Sequence, residues 1–214
     1  MSYNNYGNRF QRSTPIVLNL IIINVLVFIV QLMFDGKNAE SFLDLRITGK
    51  IALYPFHSEY FRPYQLVTHM FAHSPDNFLH ILFNMYGLWI LGTVLERAWG
   101  PKRFLIFYLT CGLAAGVAQM LLVKDAPAIG ASGAIMGLLG AFGYLFPNTQ
   151  FYIIPFPFPI KAKYLVAIIA AIDLFGGLHS GGVDDVAHFA HLGGLAMGLL
   201  LVIIWNKTNK RTFY

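Results

Sequence analysis

The chain has 214 residues, of which 57% are hydrophobic and only 12% charged, with a formal net charge of +5. A soluble domain carries about 25% charged residues, so this sequence has too little polar surface for a water-facing fold. Its basic residues sit in short clusters between apolar runs, the pattern of membrane topology rather than of a nucleic-acid surface, and its one cysteine, Cys111, excludes an internal disulfide framework or cysteine metal site. Cys111 lies in an apolar run and reads as a small packing residue.

Residues 1–14 are polar, with Arg9 and Arg12, and read as a cytoplasmic tail. The next run, 15–34, is apolar for about twenty residues, long enough to cross a bilayer and too long for a signal-peptide core. It is the first predicted span. Residues 35–77 are too charged to span, yet they carry Phe56, Tyr60, Phe61, Tyr64 and Phe71. Aromatics mixed with charges suit short helices at the membrane surface. The second span is predicted over 78–95, followed by a turn through Glu96, Arg97 and the Gly100-Pro101 breaker, with Glu96 and Arg97 tying the helix end to its neighbours. The third span covers 104–123.

The fourth runs only from Ser132 to the stop at Pro147, about fifteen residues or roughly 22 Å of helix against a hydrocarbon core of roughly 30 Å. One end must therefore stop inside the bilayer, where non-helical backbone is tolerated only when buried in protein or lining a water-filled cavity. Residues 147–159 form an apolar loop stiffened by Pro155, Pro157 and Pro159. The fifth and sixth spans are predicted over 160–175 and 186–205, between them a glycine-rich loop from Gly176 to Gly182 that reads as weakly ordered, and 206–214 is a basic tail. The organisation expected is one membrane domain over 15–205 between two cytoplasmic tails.

Orientation follows the lysines and arginines. With the N-terminus inside, Arg9, Arg12, Arg97, Lys102, Arg103, Lys161, Lys163, Lys207, Lys210 and Arg211 are cytoplasmic, against Lys37, Arg46, Lys50, Arg62 and Lys124 outside. The second, fourth and sixth spans then descend from the outer face, and each has polar residues in its first turns: His80 and Asn84, Ser132, and His188 with His191. Such residues inside membrane helices are costly and mark functional sites. Alone, a helix serine bonds its own backbone, a histidine is satisfied by a loop carbonyl and an asparagine is interhelical glue. Here all three sets meet at one depth. His188, directly after Asp184 and Asp185, reads as the solvated member of its pair, and His191, one turn deeper, as the one that reaches Ser132. Small-xxx-small spacings at Gly133 and Gly137, and at Gly194 and Gly198, permit the close helix approach a serine-histidine contact requires.

These residues resemble a known family, the rhomboid intramembrane serine proteases. Gly130-Ala131-Ser132-Gly133 is similar to their GxSG motif, His80 to Asn84 to their HxxxN, and His191-Leu192-Gly193-Gly194 with Gly198 to their HxxGxxxG. The resemblance implies an all-α membrane protein, a six-transmembrane-helix rhomboid-type bundle with a short central fourth helix and a long membrane-associated first outer loop. It implies a Ser-His dyad without an aspartate: Ser132 as nucleophile, His191 as base, and the Ser132 backbone N–H, Asn84 and His80 as oxyanion donors. No metal or cofactor is implied. The partners expected are transmembrane protein substrates and the lipid bilayer, with no nucleic acid. The location expected is a bacterial inner membrane with both termini cytoplasmic. The family's tryptophan-arginine pair in the first loop is Phe61-Arg62 here.

Two alternatives come from other classes. Two of His80, His188 and His191 can ligate a haem axially in a membrane electron carrier, although that leaves Ser132 and Asn84 unexplained. A non-catalytic relative would bind membrane segments, but such relatives usually lack the serine or the histidine. A zinc protease is not expected, since no His-Glu-x-x-His occurs. His57, His69, His73 and His179 read as solvated or hydrogen-bonded structural residues, and Asp173 as an acid reaching interfacial water or a loop donor.

Overall fold

The computed structural model describes residues 14–35, 46–123, 126–152, 158–179 and 186–208. Its helices are Pro15–Phe34 (α1), Ile47–Ile51 (α2), Gln65–Thr68 (α3), Phe78–Gly87 (α4), Thr93–Trp99 (α5), Pro101–Leu122 (α6), Ser132–Leu145 (α7), Ala162–His179 (α8) and His188–Thr208 (α9). A π-helical turn over Leu88–Gly92 joins α4 to α5, so that Phe78–Trp99 is one continuous helix. Among the described residues, five helices are long and apolar enough to cross a membrane: α1, the α4–α5 helix, α6, α8 and α9. Ser132–Leu145 is apolar but shorter. The charge clusters with Arg9, Arg12, Lys37, Lys124, Lys210 and Arg211 lie outside the described residues.

The short helix is the centre of the packing. At 14 residues it is about 21 Å long, and its buried positions run round its circumference from Gly133 to Gly143. A helix apolar on every side is a core helix. It packs most extensively against α9, which also lies along α6. Gly194 faces the Gly133 carbonyl and Gly198 the Gly137 carbonyl, so closely that a side chain at either position would collide with the α7 backbone. Cys111 of α6 is fully buried, its Sγ against Gly137, in the packing role expected of it. Gly193, by contrast, turns towards Ala114 and Ala118 of α6, so it does not serve the approach of α7.

The expected turn over residues 96–101 is corrected. The helix continues to Trp99 and the break is confined to Gly100, whose φ of 82° is left-handed and suits glycine. Its N–H bonds the Glu96 carbonyl at 2.8 Å, and Pro101 then opens α6 at a position that needs no donor. Glu96 is buried because its carboxylate accepts the N–H groups of Ile16 and Val17, at 3.0 and 2.9 Å, at the otherwise uncapped start of α1. Leaving either donor unpaired costs about 1–3 kcal/mol. Arg97 is exposed.

Residues 46–77 carry the short helices expected of them, fastened to α1 by polar contacts. Gln31, fully buried, donates to Thr48 Oγ1 at 2.6 Å and to the His73 carbonyl at 2.8 Å, and accepts the His73 N–H at 3.1 Å. The Thr48 hydroxyl in turn donates to Asp35. Residues 147–152 and 158–161 close with a two-residue antiparallel pair, Gln150 with Lys161 and Phe151 with Ile160; Pro155 and Pro157 lie outside the described residues. The start of α8 is held there too, its Ala162 N–H on the Thr149 carbonyl at 2.8 Å. The glycine-rich loop is also corrected in part: Gly176, Gly177, Leu178 and His179 are helical, and residues 180–185, with Gly181 and Gly182, lie outside the described residues.

Candidate active site

The backbone before α7 is irregular, and its polar groups find partners in the first loop. Leu53 and Ala128 exchange two hydrogen bonds of 2.9 Å, and the Gly130 N–H donates to the His69 carbonyl at 2.9 Å. This is how non-helical chain survives at membrane depth. Gly130 has φ 120°, and a Cβ placed there would lie 2.8 Å from His80 Nε2 and 3.6 Å from Ser132 Oγ. His80 and Ser132 therefore border one space that only glycine leaves open. Ser132 is the first residue of α7, and the residue before it, Ala131, has no side-chain group to cap the helix. The first intrahelical donor is Ile135, which leaves the Ser132, Gly133 and Ala134 N–H groups as the uncapped positive end of the helix.

On α9, His191 Nε2 lies 2.8 Å from Ser132 Oγ. Close approach at Gly194, one turn below, makes that distance possible. The other ring nitrogen, Nδ1, lies 3.0 Å from Asp173 Oδ1 of α8. Both nitrogens of His191 are thus engaged, which leaves neither free for a haem iron.

Asp173 and His188 both depart from expectation. Asp173 is 5% exposed, and its partners among the described residues are two histidines of α9 rather than a loop donor. His188 is buried rather than solvated, with its Nδ1 2.8 Å from the same Asp173 Oδ1; Asp184 and Asp185 lie outside the described residues. A signal is present in the sequence: α8 and α9 are consecutive antiparallel helices, so an acid near the end of one faces residues near the start of the next.

Asn84 is buried, and its amide donates to the His80 carbonyl at 2.9 Å. That is the local bond of the structural reading, although it uses one of two N–H groups. His80 Nδ1 takes a 3.4 Å contact from the Ser74 N–H, and its ring meets His73 edge-on at 5.1 Å. A cavity of about 10 Å³ beside Ser132, bordered by His69, Gly130, Gly133 and Ala190, matches the lower limit for one water. His57 and His179 are exposed, as expected, and Arg62 spends its guanidinium on the carbonyls of Glu59 and Phe61.

His69 and His73 are buried, so of the solvated or hydrogen-bonded roles expected of them the solvated one falls away. His69 Nδ1 bonds the Gln65 carbonyl at 2.8 Å, while both ring nitrogens of His73 lack a partner among the described residues. Burial, with the neighbouring His80 adding to it, lowers His73 from its ordinary 6.5 to about 3. Burial also lowers His69. Both are neutral in the folded protein at pH 7. The unfolded chain gains the His73 proton below pH 6.5 and the folded chain does not until about pH 3, so stability is lost as the pH falls through that window. The expected loss from His73 at pH 5 is about 2 kcal/mol. It should appear as a lower thermal midpoint in detergent at pH 5 than at pH 7, and His73→Phe should shrink the difference.

A short core helix thus carries, at its open N-terminus, a serine bonded to a histidine of a neighbouring apolar helix, in an integral membrane protein. Residues 60–207 match the family model described as Rhomboid domain, and the chain belongs to the rhomboid family. It is 36% identical over 137 residues to Rhomboid protein 1, mitochondrial, of Saccharomyces cerevisiae, taking in 60% of this chain and 38% of the relative. It is 29% identical over 228 residues to Rhomboid protease AarA of Providencia stuartii (89% of this chain, 72% of the relative). It is 26% identical over 199 residues to Rhomboid protease GlpG of Yersinia pseudotuberculosis (92% of this chain, 65% of the relative). The chain thus spans well under half the length of the yeast relative.

Proposed function

We propose that this protein is an intramembrane serine endopeptidase that cuts other membrane proteins within or beside their transmembrane segments. The observation that carries the reading is the 2.8 Å contact between His191 Nε2 and Ser132 Oγ at the open end of α7. In this reading Ser132 Oγ attacks the scissile carbonyl while its proton passes to His191 Nε2. The carbonyl oxygen becomes an oxyanion, held by the Ser132 N–H with Asn84 and His80 as side-chain donors. His191 then returns the proton to the leaving amine, and a water, activated by the same imidazole, releases the acyl group from Ser132. A helical peptide bond is shielded by its own hydrogen bonds, so substrates should carry Gly, Pro or polar residues that let the segment unwind near the cut.

The layout that suits this chemistry has six membrane helices, α7 being the short fourth, with the site towards the outer face and both termini cytoplasmic. The membrane domain is 15–205. A bacterial inner membrane is favoured because the likeness to the Providencia and Yersinia proteases extends over most of the chain, whereas that to the mitochondrial protein covers 60%.

A fluorophosphonate probe in detergent tests the reading: it should label the wild type at Ser132, located by peptide mass spectrometry, and leave Ser132→Ala unlabelled. No labelling of the wild type would refute it. Asn84→Ala should lower the cleavage rate about 10–10³-fold without abolishing it, because the remaining donors still face the oxyanion. An unchanged rate would return Asn84 to the structural role its bond to His80 describes.

A further inference from the structure

We propose that Asp173 is a positioning residue for His191, fixing which of its ring nitrogens carries the proton. This rests on the reading of Ser132 and His191 as nucleophile and base. The fully buried residues of α8 are Ala162 and Asp173, the rest being half-buried or exposed, so this apolar helix turns one acid inward. Placing an acid there is costly unless it is paired. The Asp173 carboxylate can only accept, so the 3.0 Å contact requires His191 to donate from Nδ1. A neutral imidazole then has its lone pair on Nε2, the atom 2.8 Å from Ser132 Oγ. The opposite tautomer would aim an N–H at the serine and could not take its proton.

A tie that served only to hold α8 against α9 would be complete with His188 alone. His188 instead shares the same carboxylate oxygen, at 2.8 Å, and holds Asp173 in place while leaving it able to serve His191. Among the described residues, His191 is bonded by Ser132 from α7 and Asp173 from α8, a carboxylate it shares with His188 of its own helix.

Asp173→Asn tests the proposal, because the amide has nearly the same shape but can donate to Nδ1 and hold His191 in the wrong tautomer. Kinetics on a transmembrane substrate should show kcat lower by about 10–10³-fold with KM within about threefold, and fluorophosphonate labelling should slow by a similar factor. Asp173→Glu, which restores a carboxylate acceptor, should recover more of kcat than Asp173→Asn retains. Wild-type labelling rate and kcat in Asp173→Asn would overturn the proposal. So would a rise in KM alone, or equal losses in Asp173→Asn and Asp173→Glu with a collapsed thermal midpoint, which is how a helix tie would behave.

Imidazole ¹⁵N spectra of the wild-type protein give a test that does not depend on those variants folding. The signals missing from His191→Asn should be those of an Nδ1–H tautomer, and an Nε2–H tautomer would overturn the proposal. A wild type that the probe does not label would refute the protease reading itself and the role of Asp173 with it. A labelled wild type with an unaffected Asp173→Asn would overturn only the positioning role.

Discussion

Ser132→Ala is expected to bring cleavage of a transmembrane substrate down by at least about 10⁴-fold, to the background of a vesicle without enzyme. Among the described residues, no other hydroxyl or thiol is hydrogen-bonded to His191: Cys111 is fully buried against Gly137, and Thr48 and Thr68 are spent on the first loop, their hydroxyls bonded to Asp35 and to the Ile51 carbonyl. The hydroxyl of Ser132 is bonded to His191, so its loss removes one hydrogen bond worth about 1 kcal/mol. The variant should insert, purify and unfold at close to the wild-type temperature. A variant equally stable and still able to cleave would remove Ser132 from the chemistry.

The second large effect separates two histidines three residues apart. His191→Ala should abolish both proteolysis and fluorophosphonate labelling, since no other imidazole nitrogen among the described residues bonds Ser132 Oγ. His188→Ala should keep both within about tenfold. Its ring lies against Gly176 of α8 rather than beside the serine, and Asp173 retains its bond to His191 when His188 is gone. What His188→Ala should lose is stability, because a buried ring is deleted between two helices; a lower thermal midpoint with activity retained is the expected pair of readings. Activity in His191→Ala and none in His188→Ala would reverse the assignment of the base.

The spans are legible in the sequence because about twenty apolar residues have few alternatives to a helix across a bilayer, and the first span is found at the residues expected. The shortness of α7 is legible from the distance between Ser132 and Pro147. Ser132 and His191 are legible as a pair because polar residues at one depth of three apolar runs, with glycines beneath them, have little reason to stand there unless they share a site. Asp173 is legible only in part: consecutive helices bring an acid near the end of one towards the start of the next, but which residues it meets there depends on how they pack. The burial of His188 is hidden for a related reason: Asp184 and Asp185 precede it in sequence, while Asp173, which its ring bonds, lies across the helix pair. The two-residue strand pair depends on contacts between residues ten or so apart along an apolar, proline-rich segment, where no alternation marks a strand.

The two ends of α8 are fastened in different ways. Near Ala162 it is held by main-chain bonds, the strand pair together with the Ala162 and Lys163 N–H groups on the carbonyls of Thr149 and Pro147. Towards His179, among the described residues, it is held by side chains: the Asp173 carboxylate shared by two imidazoles, and Gly176 and Gly177 against the rings of His188 and Phe189, while Leu174, Phe175 and Leu178 are exposed. The helix is therefore fastened by backbone at one end and by side chains at the other, and removal of the Asp173 carboxylate would leave the main-chain hold at Ala162 and Lys163 untouched.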